Sequence, residues 1–253
     1  MAKVRFLGRI LPEPVKITVH APELKWKWQE QNLELIFRVK IDNSVVNVEC
    51  ELEKYELGYF TELHKRGSDL VSASANLAAF ATGYGLIVTL DTFIDASGTP
   101  SQIVLHDPSL PPLCTAYGLG DARQGDFAAV FNNVLTEPSL FRAINDLIGA
   151  ITFPHCSTVN CGRVVDSIRR MISPTLDGAT AWQAMHKALN VSRPYQEWIS
   201  TQSAGPRHAD PAFVPGAVTT EIARRTWVIM NRFLEYRKRG NQPLTAPEFP
   251  QCA

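Results

Sequence analysis

The residues in this chain that are best suited to chemistry are Arg207 and His208, which lie side by side in a loop predicted over 203–211. A guanidinium group binds phosphate oxygens through paired N–H donors, and an imidazole changes charge near neutral pH. The pair therefore suits phosphate binding, or acid–base chemistry on a ribose 2′-hydroxyl with Arg207 stabilising the developing negative charge. The structural alternative is that His208 hydrogen-bonds a nearby carbonyl and Arg207 ties the loop to Asp166 or Asp210.

A second polar group lies on a helix predicted over 160–172. Arg163, Asp166 and Arg170 follow one another at i, i+3 and i+7, so they share one face of that helix. We expect this face to approach Arg207 and His208 and to contribute to binding. The alternative is an ordinary Arg–Asp pair within the helix, worth roughly a few tenths of a kcal/mol.

The last predicted helix, over 218–239, has an apolar face and a basic face. The basic face includes Arg224, Arg225 and Arg232, which we take as candidate contacts to a phosphate backbone. An ordinary solvated helix surface, with cations placed near the helix C-terminus, explains the same pattern.

No sequence motif for a metal or cofactor is present. His155, Cys156 and Cys161 lack the paired short spacing of a structural zinc site, and Cys161 is most simply a core residue. The chain also lacks a phosphate-binding P-loop, a three-glycine dinucleotide fingerprint, a G-x-S-x-G elbow and an H-E-x-x-H pair. We therefore predict neither a metal site nor a cofactor.

The composition is that of an ordinary globular protein of 253 residues with no net charge. Residues 1–150 carry 13 lysines and arginines against 18 aspartates and glutamates, whereas residues 151–253 carry 12 against 7. Such halves attract each other, or the basic half faces an acidic partner such as nucleic acid. With no apolar run of about 20 residues, no signal-like start and five unpatterned cysteines, we expect a cytoplasmic protein without membrane contact.

The first half of the chain shows the period-two alternation of β-strands. Alternating runs over 15–19, 33–41 and 46–52 predict strands, and Asp42-Asn43-Ser44 predicts a turn that makes 33–52 a hairpin. A helical period follows over 57–82, and further strands are expected over 86–90 and 103–105.

The second half shows helical periodicity, with segments near 127–134, 138–148, 160–172, 178–190, 193–202 and 218–239. Trp182, Trp198 and Trp227 are expected to pack in the interior of this bundle. We therefore predict an α+β protein, with an antiparallel sheet and a packed helix over 1–115, a helical bundle over 125–240 and a C-terminal tail over 241–253.

Residues 155–240 resemble a HEPN-type helical domain. The resemblance rests on the helix order, on the polar helix that carries Arg163 and Asp166, and on an Arg-His pair before the last long helix. HEPN domains are small helical bundles, often dimeric, of prokaryotic toxin, phage-defence and RNA-processing proteins. Their nucleases separate the arginine and histidine by several residues, whereas Arg207 and His208 are adjacent in this chain.

The resemblance implies an accessory or interaction protein that binds RNA, a protein partner or a second copy of itself as a homodimer. A metal-independent ribonuclease that uses Arg207 and His208 is the alternative from a different class. A small-molecule enzyme with its site between the two predicted domains is a further alternative.

Overall fold

The computed structural model describes residues 1–119, 121–176, 178–208 and 214–253. The chain divides into two compact units, Met1–Val104 and Leu105–Ala253. The first unit is an antiparallel sheet with one helix, and the second is helical. The predicted α+β class is therefore confirmed.

Seven antiparallel strands form the sheet of the first unit. They are β1 (Ala2–Leu11), β2 (Val19–His20), β3 (Leu24–Trp28), β4 (Leu33–Asp42), β5 (Val45–Leu52), β6 (Ile87–Ile94) and β7 (Pro100–Gln102). The order is β2-β4-β5-β1-β6-β7, and β3 also pairs with β4. The run over 15–19 becomes a strand only at Val19–His20, and the last strand lies at 100–102 instead of the expected 103–105.

The predicted hairpin over 33–52 is confirmed as β4 and β5. Asn43 and Ser44 both have positive φ, 53° and 68°, which is the conformation of a type I′ two-residue turn. The inward positions alternate along both strands, from Leu35 to Ile41 and from Val46 to Leu52, and are buried. Local alternation and turn chemistry thus specify this element together.

The central strand β1 is not among the strands expected from the sequence. It pairs with β5 on one side and with β6 on the other, and its register to β6 shifts between Leu7 and Gly8. A Cβ at Gly8 would lie 1.9 Å from the carbonyl oxygen of Thr89. Only glycine permits this close backbone approach, which lies beside a bulge at Asp91 of β6.

The helix of the first unit, α1 (Phe60–Thr82), packs on the sheet. Leu63, Val71 and Ala75 are buried against residues of the strands. The helix ends at Gly83, whose φ of 75° is the left-handed conformation that commonly closes a helix.

The second unit contains α2 (Gln124–Thr136), α3 (Pro138–Thr152), α4 (Ser157–Ile172), α5 (Gly178–Leu189), α6 (Arg193–Arg207) and α7 (Gly216–Lys238). All six correspond to helical segments expected from the sequence. Their common core includes Leu140, Val164, Ile168, Ile199 and Phe233. Trp182, Trp198 and Trp227 pack against this core but are only partly buried, so they lie at its margin and not in the interior where they were expected.

Two segments outside the predicted bundle also belong to the helical unit. The backbone N–H groups of Thr115 and Ala116 donate to Asn231 Oδ1 of α7, so the boundary lies at Val104 instead of near residue 115. The segment 241–253, expected to be a tail, packs on the unit: Leu244 is buried and its N–H donates to the carbonyl of Ala188.

Within the described ranges, the structure contains no helix that is both long and apolar enough to cross a membrane.

Candidate functional site

A polar cleft of about 370 Å³ lies between α3, α4 and α6. All of its lining side chains are charged or carry a hydroxyl group; they are Ser139, Arg142, Asp146, Arg163, Asp166, Ser167, Arg170 and Arg207. Four of the candidate residues, Arg163, Asp166, Arg170 and Arg207, thus meet in one place.

Helical periodicity positions both long walls of the cleft. On α4, Arg163, Asp166 and Arg170 share a face as the sequence indicates, and the opposite face buries Val164, Val165 and Ile168 in the core. On α3, residues 139, 142 and 146 follow the same i, i+3, i+7 spacing, while Leu140, Ala143 and Leu147 are buried. Each helix therefore anchors its apolar stripe in the bundle and turns a polar stripe toward the other.

The third wall depends on an unusually close approach of α6 to α4. A Cβ added at Gly162 would lie 2.6 Å from Ser203 Oγ and 3.3 Å from Arg207 Cδ. Gly162 and Ser203 are both buried. The missing side chain at Gly162 therefore lets α6 pack closely enough for Arg207 to reach Asp166 across the cleft.

Two ion pairs cross the cleft. Arg207 Nη2 lies 2.8 Å from Asp166 Oδ2, and Arg163 Nε lies 3.3 Å from Asp146 Oδ2. The Arg207–Asp166 contact is one of the structural pairings foreseen for Arg207. Each carboxylate holds one guanidinium in place across two helices, which fixes the geometry of the walls.

The cleft retains two cations beyond these pairs. Arg142 and Arg170 are exposed, and neither forms an ion pair with the residues that the structure describes. Four guanidinium groups and two carboxylates line the cleft, so its described lining has a surplus of two positive charges. Such a surplus in a concave site attracts anions.

The Asp146 carboxyl is the perturbed acid of the site. Burial raises its pKa above the ordinary value of 3.8, and the charges of Arg163 and Arg142 lower it in part. The charges of Arg163 and Arg142 therefore stabilise the ionised form of Asp146. An anion that binds Arg142 would offset its positive charge and so raise the pKa of Asp146 further.

His208 does not lie among the residues that line the cleft. The predicted loop is partly helix, because α6 continues past Pro206 to Arg207, and His208 closes it with its N–H donating to the carbonyls of Ala204 and Gly205. His208 is the residue after the helix, so the helical spacing that brings Arg207 into the cleft does not extend to it. Residues 209–213, which include Asp210, lie outside the described residues.

The basic residues of α7 are engaged by the protein itself. Arg224 and Arg225 both bind Glu221, at 2.8 and 2.7 Å, and these hydrogen bonds lower the pKa of the Glu221 carboxyl to about 2. Arg225 also stacks on Trp198, with its Cζ 4.6 Å from the ring centroid. These two arginines therefore stabilise the bundle and do not line the cleft.

The expectation that Arg232 lies on an exposed basic face is wrong. Its side chain is buried and donates to the carbonyl oxygens of Leu189, Asn190 and Pro250. The helical period places Arg232 beside the polar residues of α7, but the segment 241–253 covers this side of the helix. Arg232 thus joins that segment to the end of α5.

The described residues contain no cluster of three or more histidine, cysteine or acidic side chains that could hold a metal ion. Cys161 is a core residue, and burial raises the pKa of its thiol to about 12, which keeps it protonated. A larger and more open hollow, about 670 Å³, lies between the end of α5, the start of α6 and residues 243–251. It contains none of the predicted site residues.

Sequence reasoning missed the wall formed by α3. Ser139, Arg142 and Asp146 repeat the spacing that identified the polar face of α4. The same test of periodicity finds them, but nothing local indicates that the two polar stripes face each other.

Comparison with known families matches both units. Residues 4–104 match the N-terminal domain model, and residues 127–238 the C-terminal domain model, of a family described as "Domain of unknown function (DUF8168)". No curated protein and no solved structure matches the chain. Since the two models together span most of the sequence, from strand β1 to the end of helix α7, the chain belongs to the DUF8168 family.

Proposed function

We propose that this protein binds RNA and that the cleft between α3, α4 and α6 holds phosphate groups of the RNA. The observation that carries the proposal is the surplus of two guanidinium groups, Arg142 and Arg170, in a cleft whose other charges are paired. Arginine is the side chain best suited to phosphate because its planar fork donates two parallel hydrogen bonds.

Further features support this proposal over a protein or homodimer interface at the cleft. Its described lining contains no apolar side chain, whereas the centre of a protein interface is rich in aromatic and aliphatic groups. The resemblance to HEPN-type domains, which occur in RNA-processing proteins, agrees with RNA as the ligand. The proposal is one of binding without cleavage, because His208 is not among the lining residues.

The test measures binding of a labelled single-stranded RNA by fluorescence anisotropy over a range of salt concentrations. The cleft variant is Arg142→Gln/Arg170→Gln, which removes the two unpaired charges. The matched control is Lys25→Gln/Lys27→Gln, which removes two exposed charges from strand β3 of the other unit. Circular dichroism establishes that both variants are folded.

Each phosphate contact to a single strand contributes about 0.7 to the slope of log K against log salt. Loss of two contacts should reduce the slope by about 1.4 and weaken binding about 25-fold at 0.1 M salt. The control should bind like the wild type. Equal binding by the wild type and the folded cleft variant, or an equal loss in the control, would refute the proposal.

The same preparations test the ribonuclease alternative. Incubation of RNA with the wild type and with His208→Ala in EDTA should leave the RNA intact in both cases. Cleavage by the wild type that disappears in a folded His208→Ala variant would establish the nuclease and overturn the proposal of binding without cleavage.

A further inference from the structure

We infer that the cleft binds the end of an RNA strand, through a terminal phosphomonoester, in preference to a phosphodiester within the strand. The inference rests on the proposed function and adds to it the chemical group that is recognised.

The charge of the cleft matches that of a terminal phosphate. The cleft has two unpaired guanidinium groups, one from Arg142 on α3 and one from Arg170 on α4. A phosphomonoester carries about −1.5 to −2 charge at pH 7, whereas each internal phosphodiester carries one negative charge. A single terminal phosphate therefore neutralises both cations. A single internal phosphate neutralises only one of the two positive charges.

The hydrogen-bond donors of the cleft also match a terminal phosphate in number and position. Arg142 and Arg170 belong to opposite walls, and each wall also contributes a hydroxyl group, from Ser139 on α3 and Ser167 on α4. A terminal phosphate offers three strongly accepting oxygens. Donors that converge from two sides match such a group better than a phosphodiester, which has two free oxygens.

The small volume of the cleft and its two carboxylates favour a single phosphate. The cleft volume of about 370 Å³ is near the lower end of the range for small-ligand sites, roughly 300–1,000 Å³. The carboxylates of Asp146 and Asp166 lie in the same lining and repel any second phosphate that enters with the first. A strand end places one phosphate in the cleft and the rest of the chain outside it.

The experiment compares three single-stranded RNA oligonucleotides of one sequence, with a 5′-phosphate, with a 3′-phosphate, and with hydroxyl groups at both ends. Each competes with a labelled RNA for the full-length protein. We expect at least one phosphorylated form to bind about tenfold or more tightly than the unphosphorylated form, because the terminal phosphate adds up to two charges. The comparison between 5′ and 3′ forms identifies the end that enters.

The variants assign this preference to the cleft. It should disappear in Arg142→Gln/Arg170→Gln and persist in Lys25→Gln/Lys27→Gln. Equal binding of all three oligonucleotides, still dependent on Arg142 and Arg170, would refute strand-end recognition and leave RNA binding intact. Failure of all three to bind would refute both proposals.

Discussion

Gly162→Ala tests whether α6 packs closely on α4 at the third wall of the cleft. The new Cβ would lie 2.6 Å from Ser203 Oγ and 2.7 Å from Ser203 Cβ, about 1 Å inside ordinary carbon contact distances of roughly 3.5–4.0 Å. Alanine is intrinsically favoured over glycine in a helix by about 1 kcal/mol, whereas overpacking a core costs about 1–3 kcal/mol. The two effects together should lower the free energy of unfolding by up to about 2 kcal/mol.

The assay is urea unfolding followed by circular dichroism at 222 nm. With a slope of about 2 kcal/mol per molar urea, the midpoint should fall by up to about 1 M. Gly125→Ala on α2 is the matched control, because a Cβ there meets no atom within 4 Å. That control should be as stable as the wild type or more so.

A double-mutant cycle isolates the contact. Ser203→Gly removes the two nearest of the three atoms that the new Cβ would meet, so it should destabilise the wild type but be neutral or stabilising in the Gly162→Ala background. We expect a coupling of about 1 kcal/mol or more between the two positions. Additive effects, or a Gly162→Ala variant as stable as Gly125→Ala, would show that the helices are not in close contact at this point.

Two further predictions concern stability. Burial lowers the pKa of the His64 imidazole from 6.5 to about 4, so the unfolded chain binds the proton first as the pH falls. About 3 kcal/mol of stability that is present above pH 6.5 is therefore lost as the pH falls through 4. Urea midpoints measured from pH 7 to pH 4 should show this loss in the wild type and a smaller loss in His64→Gln. Arg232→Met leaves three carbonyl acceptors without their donor, so it should lower the free energy of unfolding by about 3 kcal/mol. An unchanged urea midpoint would show that Arg232 does not anchor the C-terminal segment.

The sequence alone determined those elements whose signals are local. The hairpin over 33–52 combines strict alternation with the polar turn residues Asn43 and Ser44, and both signals lie within 20 residues. Strand β1 was missed although Val4, Phe6 and Ile10 alternate along it and are buried, because its partners in β6 lie about 80 residues away. The six helices of the second unit were predictable because amphipathic periodicity repeats every few residues.

The candidate site likewise has features that the sequence alone determined and features that only the tertiary structure decided. The shared face of Arg163, Asp166 and Arg170 follows from helical spacing alone, so the sequence determined it. Only the tertiary structure placed Arg142 opposite that face, directed Arg207 but not His208 into the cleft, and buried Arg232 beneath the C-terminal segment. Periodicity states which side chains share a face of one helix, but which element covers that face depends on packing between segments distant in sequence.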